Sequence, residues 1–320
     1  MYYTNNKLKF NMMRYLLLAC LSLLFSVSVF AEKVDKDFDV KDFTKVSVSS
    51  GFDVHISQGD KESLSIELNE KLQKYLIVEV ENNTLKIYLK RNNFFRSFRR
   101  TGPMKATIVV KNLEKINVSG GGNVNVVNLN TDLLHASMSG GGNLNMHIKT
   151  NELKCSMSGG GDANLSGFAK TARVSLSGGG DLNSKLNFSE GNMGLSGGGN
   201  ARIYCDETKN LKARVSGGGN IIVDGELNDV YLSLSGGGNS KLSGKAIYFR
   251  ASVSGGGRVS AKDFEVEDCK LSISGGGAAS VNVINNLRVS ASGGGDIRCY
   301  SKPNNISKSL SGGSKLRMIR

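Results

Sequence analysis

A few residues in this sequence have the type and spacing to do chemistry. Gly194-Leu195-Ser196-Gly197-Gly198 matches the Gly-x-Ser-x-Gly spacing of a hydrolase nucleophile elbow. Such an elbow needs a strand-to-helix turn, with a histidine and an acid converging from elsewhere. Asp162 and Asp181 each follow a glycine triplet, and two carboxylates about 5 Å apart could act as the acid and nucleophile of a retaining glycosidase. Glycine triplets followed by Asp also invite a calcium reading. The run from Lys90 to Arg100 combines five cations with three phenylalanines. In it Arg91, Arg96, Arg99 and Arg100 could grip carboxylate or phosphate, while Phe94, Phe95 and Phe98 could stack on a sugar or enter lipid headgroups. His55, His135 and His147 have no His or Cys at metal-ligand spacing, and no Cys-x-x-Cys pair exists.

The elements that must position these residues are written in a repeat. Glycine supplies 40 of 320 residues, well above the roughly 7% usual in soluble proteins, while proline supplies 2. That glycine share is far below the third required by collagen. Ser-Gly-Gly-Gly begins at Ser119, Ser139, Ser158, Ser177, Ser196, Ser216, Ser235, Ser254, Ser274 and Ser292, and Ser-Gly-Gly-Ser begins at Ser311. The spacings lie between 18 and 20 residues. A period this regular is the mark of a repeat architecture.

Aligned on that serine, the preceding residue is apolar in all eleven copies, from Val118 to Leu310. Three residues earlier only Lys308 is polar, and five earlier only Glu114 and Gly191 break the apolar column. Alternation resumes after the glycines, as in Val124/Val126 and Leu144/Met146. Period-two patterning of this kind predicts strands with one buried face. A unit so short cannot bury its own apolar face, but a stack of units can. The prediction is an all-β fold: a single-stranded, right-handed parallel β-helix, or solenoid, with coils of ~19 residues stacked about 4.8 Å apart. Glycine corners turn each coil, because glycine reaches positive φ without steric cost. Asn or Asp stands four residues past the serine in eight of ten copies, between Asn123 and Asp296, and can form a hydrogen-bonded column.

The column reading absorbs several of the candidates. Ser196 is one serine among eleven equivalent ones, and Gly194 merely replaces the usual serine. Calcium-binding β-rolls use nine-residue repeats, whereas this period is about twice that. Asp162 and Asp181 are equivalent positions in adjacent coils, so column membership explains their proximity as well as catalysis would. Cys155, Cys205, Cys269 and Cys299 read as small buried apolar residues, at least three of them facing inward. The sequence calls for no cofactor and no metal.

Residues 1–31 contain no acid. Lys7, Lys9 and Arg14 precede an apolar run that ends at Val29-Phe30-Ala31, a Sec-type signal peptide with cleavage expected after Ala31. After cleavage no transmembrane segment is expected. The predicted organisation is therefore a signal peptide at 1–31, irregular leading coils with an N-terminal cap at 32–118, and regular repeats at 119–320. Four or so leading coils would make about 14 in all.

The run Phe43-Thr44-Lys45-Val46-Ser47-Val48-Ser49-Ser50-Gly51-Phe52-Asp53-Val54-His55-Ile56-Ser57-Gln58-Gly59-Asp60 resembles the opening of the head GIN domain family. So do Thr84-Leu85-Lys86-Ile87 and Leu113-Glu114-Lys115-Ile116-Asn117-Val118-Ser119-Gly120 before the Ser-Gly repeats. The resemblance covers nearly all of residues 38–318. It implies an exported bacterial protein with a right-handed β-helix fold and an adhesin-like role, and it supplies no catalytic motif. An auto-transporter needs a C-terminal barrel, and none is expected where the repeat itself occupies the last residues.

The functional expectation is a non-catalytic protein of the cell envelope or the medium, in the periplasm, on the outer-membrane surface or outside the cell. Its partner would be an envelope glycan, an anionic polymer or another surface protein, and not nucleic acid. Binding is assigned to Arg91, Phe94, Phe95, Arg96, Phe98, Arg99 and Arg100. The alternatives are a polysaccharide-processing β-helix enzyme and an inert structural spacer.

Overall fold

Alternating sequences become half-buried strands only if each coil finds a neighbour, and here every repeat does. The computed structural model describes residues 33–90, 102 and 104–319, apart from the side chains of Asp206 and Glu207. The signal peptide read at 1–31 lies outside the described residues. The N-terminal part holds β1 (Lys33–Phe38), β2 (Lys45–Val48), β3 (Asp53–Gln58), β4 (Ser63–Asn69), α1 (Glu70–Gln73), β5 (Leu76–Glu81), β6 (Thr84–Leu89), β7 (Lys105–Val110) and β8 (Lys115–Ser119). Then come the long coils β9 (Val124–Gly140), β10 (Leu144–Gly159), β11 (Ala163–Gly178), β12 (Leu182–Gly197) and β13 (Ala201–Gly217). They continue as β14 (Asn220–Gly236), β15 (Asn239–Gly255), β16 (Arg258–Gly275) and β17 (Ala278–Gly293). The last coil comprises β18 (Asp296–Cys299), β19 (Asn305–Leu310) and β20 (Lys315–Met318).

From β9 to β17 each coil pairs in parallel with the next, one repeat apart. The result is a β-solenoid of about 11 turns. Its interior is the expected set of columns: Val118, Met138, Met157, Leu176, Leu195 and Val215 are all buried. The repeat length varies because some coils carry an extra residue. Met146 faces Val126 and Ile148 faces Leu129, so Val127 and Asn128 form a bulge in which Asn128 has φ 51°. Register shifts in β13 and β16 absorb the other twenty-residue spacings in the same way. The glycine corners stay in register throughout.

Those corners show which glycines are needed. At Gly159 φ is +126°, and a Cβ there would lie 2.0 Å from the Gly140 carbonyl oxygen. At Gly161 it would lie 1.8 Å from the Gly142 oxygen. At Gly160, between them, it would meet nothing within 4 Å. Coil-to-coil stacking, rather than turning alone, therefore fixes the first and third glycines.

The leading segment departs from simple succession. The strand beside β8 is β2 (Val46↔Ile116), and the strand beside the start of β9 is β3 (Val54↔Val124). Residues 45–58 thus supply the coil next to the first glycine triplet. β6 pairs in parallel with the outer side of β2, and β7 with the outer side of β3. β5 and β4 then add antiparallel, to β6 and β7 respectively. A coil that is later in sequence lies further out in space, and because β4 and β5 add antiparallel instead of forming coils of their own, about 11 turns replace the expected 14. Antiparallel strands can close an end that would otherwise offer a bare parallel edge. The β5–β6 hairpin turns at Asn82 and Asn83, both at positive φ (49° and 59°), as a two-residue hairpin requires.

Candidate functional site

The glycine corner is bordered by the Asn/Asp column, and the structure shows how that column works. Asn123 donates its backbone N–H to Asp53 Oδ1 at 2.7 Å. Asn143 donates to Asn123 Oδ1 at 3.0 Å, and Asp162 to Asn143 Oδ1 at 3.0 Å. Asp181 donates to Asp162 Oδ1 at 2.9 Å, and Asn200 to Asp181 Oδ1 at 2.8 Å. Beyond Asn200 the ladder changes partners. Asn220 Nδ2 donates to Asn200 Oδ1 at 2.8 Å, and Asn239 Nδ2 to Asn220 Oδ1 at 3.0 Å. One continuous side-chain column thus ties the corners from β3 to β15. Asp162 and Asp181 are neighbours as expected, and each spends an oxygen on the next coil's backbone.

Ser196 lies next to the end of strand β12 at a glycine corner, in register with Ser177 and Ser216. The chain continues there into another strand, so the strand-to-helix turn of an elbow is not formed. His55 Nδ1 meets Asn125 Nδ2 at 3.2 Å, and His147 Nδ1 meets Ser166 Oγ at 3.0 Å. Among the described residues no group of three or more His, Cys, Asp or Glu is gathered as a metal site would require. Cys155, Cys205, Cys269 and Cys299 are all buried, and none forms a disulfide. Burial pushes the Cys155 thiol up to about 12, and burial is also the main cause that raises Cys269. Protonated thiols of this kind pack as apolar groups and are not nucleophiles.

The exposed walls hold the groups left for recognition. On one, the repeat serines and the serines two residues before them line an open groove of about 710 Å³ running from β2 to β14. Its two rows of hydroxyls can each donate and accept. Gly194 leaves a gap in the second row, and Arg214, which stands in place of a serine, reaches back to Asn192 Oδ1 at 2.9 Å. Beside this wall the register assembles a group that motif reading misses. Lys212, Tyr231 and Arg250 are successive members of the column four residues before the serine. Tyr248, two residues ahead of Arg250, completes it, its ring centroid 6.2 Å from that of Tyr231. Only alignment of that column across repeats could have revealed them, because their separation in sequence is a whole coil.

Arg91, Phe94, Phe95, Arg96, Phe98, Arg99 and Arg100 lie outside the described residues. The chain's departure and return are described. Leu89 donates its N–H to Ser50 Oγ at 3.2 Å, Lys90 donates to the Tyr75 carbonyl at 2.8 Å, and Asp53 donates to the Met104 carbonyl at 2.8 Å. Val48↔Ile87 and Asp53↔Lys105 are register pairs. Residues 88–104 therefore join the same two walls that Ser49–Phe52 joins in the adjacent coil.

A parallel solenoid with glycine corners, an amide–carboxylate ladder and exposed polar columns defines a repeat-scaffold protein. The family described as "Putative auto-transporter adhesin, head GIN domain" matches residues 42–226 and 205–303. The chain belongs to this family. The crystal structure of a putative adhesin from Bacteroides fragilis NCTC 9343 is 26% identical, with a TM-score of 0.57, covering 66% of this chain and 97% of that one. That of a putative lipid binding protein from Parabacteroides distasonis ATCC 8503 is 21% identical, with a TM-score of 0.40, covering 91% and 98%. That of a putative adhesin from Parabacteroides merdae ATCC 43184 is 16% identical, with a TM-score of 0.38 and the same coverages. A comparison with curated proteins gives no match. Among the described residues no helix is long and apolar enough to cross a membrane.

Proposed function

We propose that this protein is an exported, non-catalytic, adhesin-like module of the cell envelope that holds a glycan or another anionic surface polymer. Residues 1–31 direct export, residues 32–118 form and cap the first coils, and residues 119–320 build the regular scaffold. The contact is made by Arg91, Phe94, Phe95, Arg96, Phe98, Arg99 and Arg100. The observation that carries this reading is the connection between β6 and β7. Where the neighbouring coil turns in a few residues, this one spends residues 88–104. Extra length between two strands costs little, so it is free to carry a recognition segment, and connections on rigid scaffolds are where recognition concentrates. Its composition fits the purpose. Arginine forks match carboxylate and phosphate, and phenylalanine faces match sugar rings or headgroups.

Affinity electrophoresis through gels containing envelope polysaccharides tests the reading. The protein runs beside a variant carrying Arg96→Ser, Arg99→Ser and Arg100→Ser. Retardation of the protein that is lost in the variant supports the assignment. Equal retardation of both removes the segment from the site. No retardation by any polymer overturns the glycan reading in favour of a spacer.

A further inference from the structure

A different part of the solenoid, several coils away from β6 and β7, carries its own recognition chemistry. Strand register places Lys154, Arg173, Asn192, Lys212, Tyr231 and Arg250 in one column through β10 to β15. Lys270 and Arg288 continue it in β16 and β17. Like charges facing one another on neighbouring strands are destabilising. The fold does not require them, since Asn192 and Ser307 occupy the same column. Among the described residues only Arg173 of these six cations is ion-paired, to Glu152 at 2.8 Å.

At the centre of the column the cations are ordered by aromatic rings. The Arg250 guanidinium lies 5.7 Å from the centroids of both Tyr231 and Tyr248, and donates to Tyr248 Oη at 3.1 Å. Lys212 Nζ lies 5.8 Å from the Tyr231 centroid. Side chains held this way lose little freedom when a ligand arrives. The wall sinks on either side of this platform. One hollow, of about 440 Å³, is lined by Arg173, Glu190, Asn192, Lys212 and Tyr231. The other, of about 420 Å³, is lined by Tyr248, Asp268, Lys270, Asn286 and Arg288. Both lie along the same two columns, so hollow, platform and hollow follow one another parallel to the solenoid axis as an interrupted furrow.

We propose that this furrow binds a linear acidic polysaccharide laid along the axis. The polymer's carboxylate or sulfate groups sit on the cation column, and a sugar face rests on Tyr231 and Tyr248. Glu190, Asp229 and Asp268 in the neighbouring column accept hydrogen bonds from sugar hydroxyls, a use a purely anionic partner without hydroxyls does not offer. Coils recur about every 4.8 Å, close to the length of one sugar unit. Side chains on one face of an extended peptide recur about every 6.8 Å, out of step with the cations. The furrow shares with the function proposed above only the idea of a glycan partner, and it needs none of residues 91–100.

Affinity electrophoresis in gels containing polygalacturonate, dextran sulfate, neutral dextran or polyglutamate tests this. Retardation is expected on at least one of the two acidic polysaccharides, with weaker retardation on polyglutamate and none on neutral dextran. Lys212→Ser with Arg250→Ser is expected to weaken binding about tenfold, or about 1.4 kcal/mol. Tyr231→Ser with Tyr248→Ser is expected to weaken it at unchanged charge. Lys185→Ser with Arg202→Ser removes the same charge beyond the glycine corner and is expected to leave binding within about twofold. Equal losses in the two cation pairs, equal retardation by polyglutamate, or no retardation by either acidic polysaccharide would overturn the proposal. Loss in the furrow variants with the Arg96/Arg99/Arg100 variant unaffected supports the furrow and sinks the 91–100 contact. The reverse pattern sinks the furrow and leaves that contact standing. Amide exchange of the β14 and β15 strands checks that each variant is folded.

Discussion

Asp162 Oδ1 accepts the backbone N–H of Asp181 at 2.9 Å, so a side chain in one coil closes the corner of the next. Asp181 repeats the arrangement towards Asn200, whose backbone N–H and side-chain Nδ2 both reach its Oδ1, at 2.8 and 3.0 Å. Asp181→Asn keeps an oxygen in that place and is expected to change stability little. Asp181→Ala leaves the Asn200 N–H without its acceptor and is expected to cost about 1–2 kcal/mol. Amide exchange at Asn200 is the direct readout. Equal protection in the two variants would show that the ladder does not hold the corner.

The three corner glycines are expected to behave differently. Gly159→Ala puts a Cβ against the Gly140 carbonyl at a φ of +126°, and is expected to destabilise by more than about 2 kcal/mol. Gly160→Ala meets nothing within 4 Å and is expected to be neutral or to stabilise by about 0.5 kcal/mol, through the unfolded chain. Urea unfolding of both variants distinguishes them. A strongly destabilised Gly160→Ala would mean that the middle position carries a constraint the packing does not reveal.

Gly191 is one of two breaks in its apolar column, the other being Glu114, and it is small because Phe188 fills its space. A Cβ at Gly191 would lie 2.2 Å from the Phe188 ring, which is fully buried. Gly191→Ala is expected to cost about 1–3 kcal/mol by overpacking. Adding Phe188→Leu is expected to recover part of that loss, so the double variant is more stable than the sum of the single changes. Strict additivity in thermal unfolding would contradict the packing argument.

The buried thiols should be silent in the native state. With Cys155 pushed up to about 12, about one thiol in ten thousand is ionised at pH 8, and burial blocks access as well. Iodoacetamide at pH 8 is expected to leave Cys155 and Cys269 unmodified until denaturant is added, and then to modify both. Because the folded-state values are raised, raising the pH through the ordinary thiol range favours the unfolded chain, which releases these protons first. Rapid native labelling at pH 8 would show that the coils open locally far more often than a closed core allows.

How much was legible in the sequence varies along the chain. The regular coils could be read almost residue by residue, because alternation fixes which side faces inward and an 18–20-residue period fixes what stacks on what. The bulge at Val127 and Asn128 is likewise implied by the twenty residues between Ser119 and Ser139. The leading segment was not legible in the same way. Val46, Val54, Leu85 and Ile108 announce buried faces equally well, but alternation carries no information about neighbour or direction. Any strand of suitable length can cover any other.

The coil, its corners and its interior can be read from the chain alone, since they are local demands repeated many times. A strand with one apolar face must bury it, and a corner packed under another corner admits no Cβ. The order of stacking at the N-terminal end is settled by contacts between distant segments: β6 lies outside β2 although it follows it in the chain. There the need to close an open edge outweighs succession, and antiparallel β4 and β5 meet it. Folding likewise brings Lys212, Tyr231, Tyr248 and Arg250 together. Residues a coil apart become neighbours when bulges elsewhere absorb the differences in repeat length and keep this wall in register.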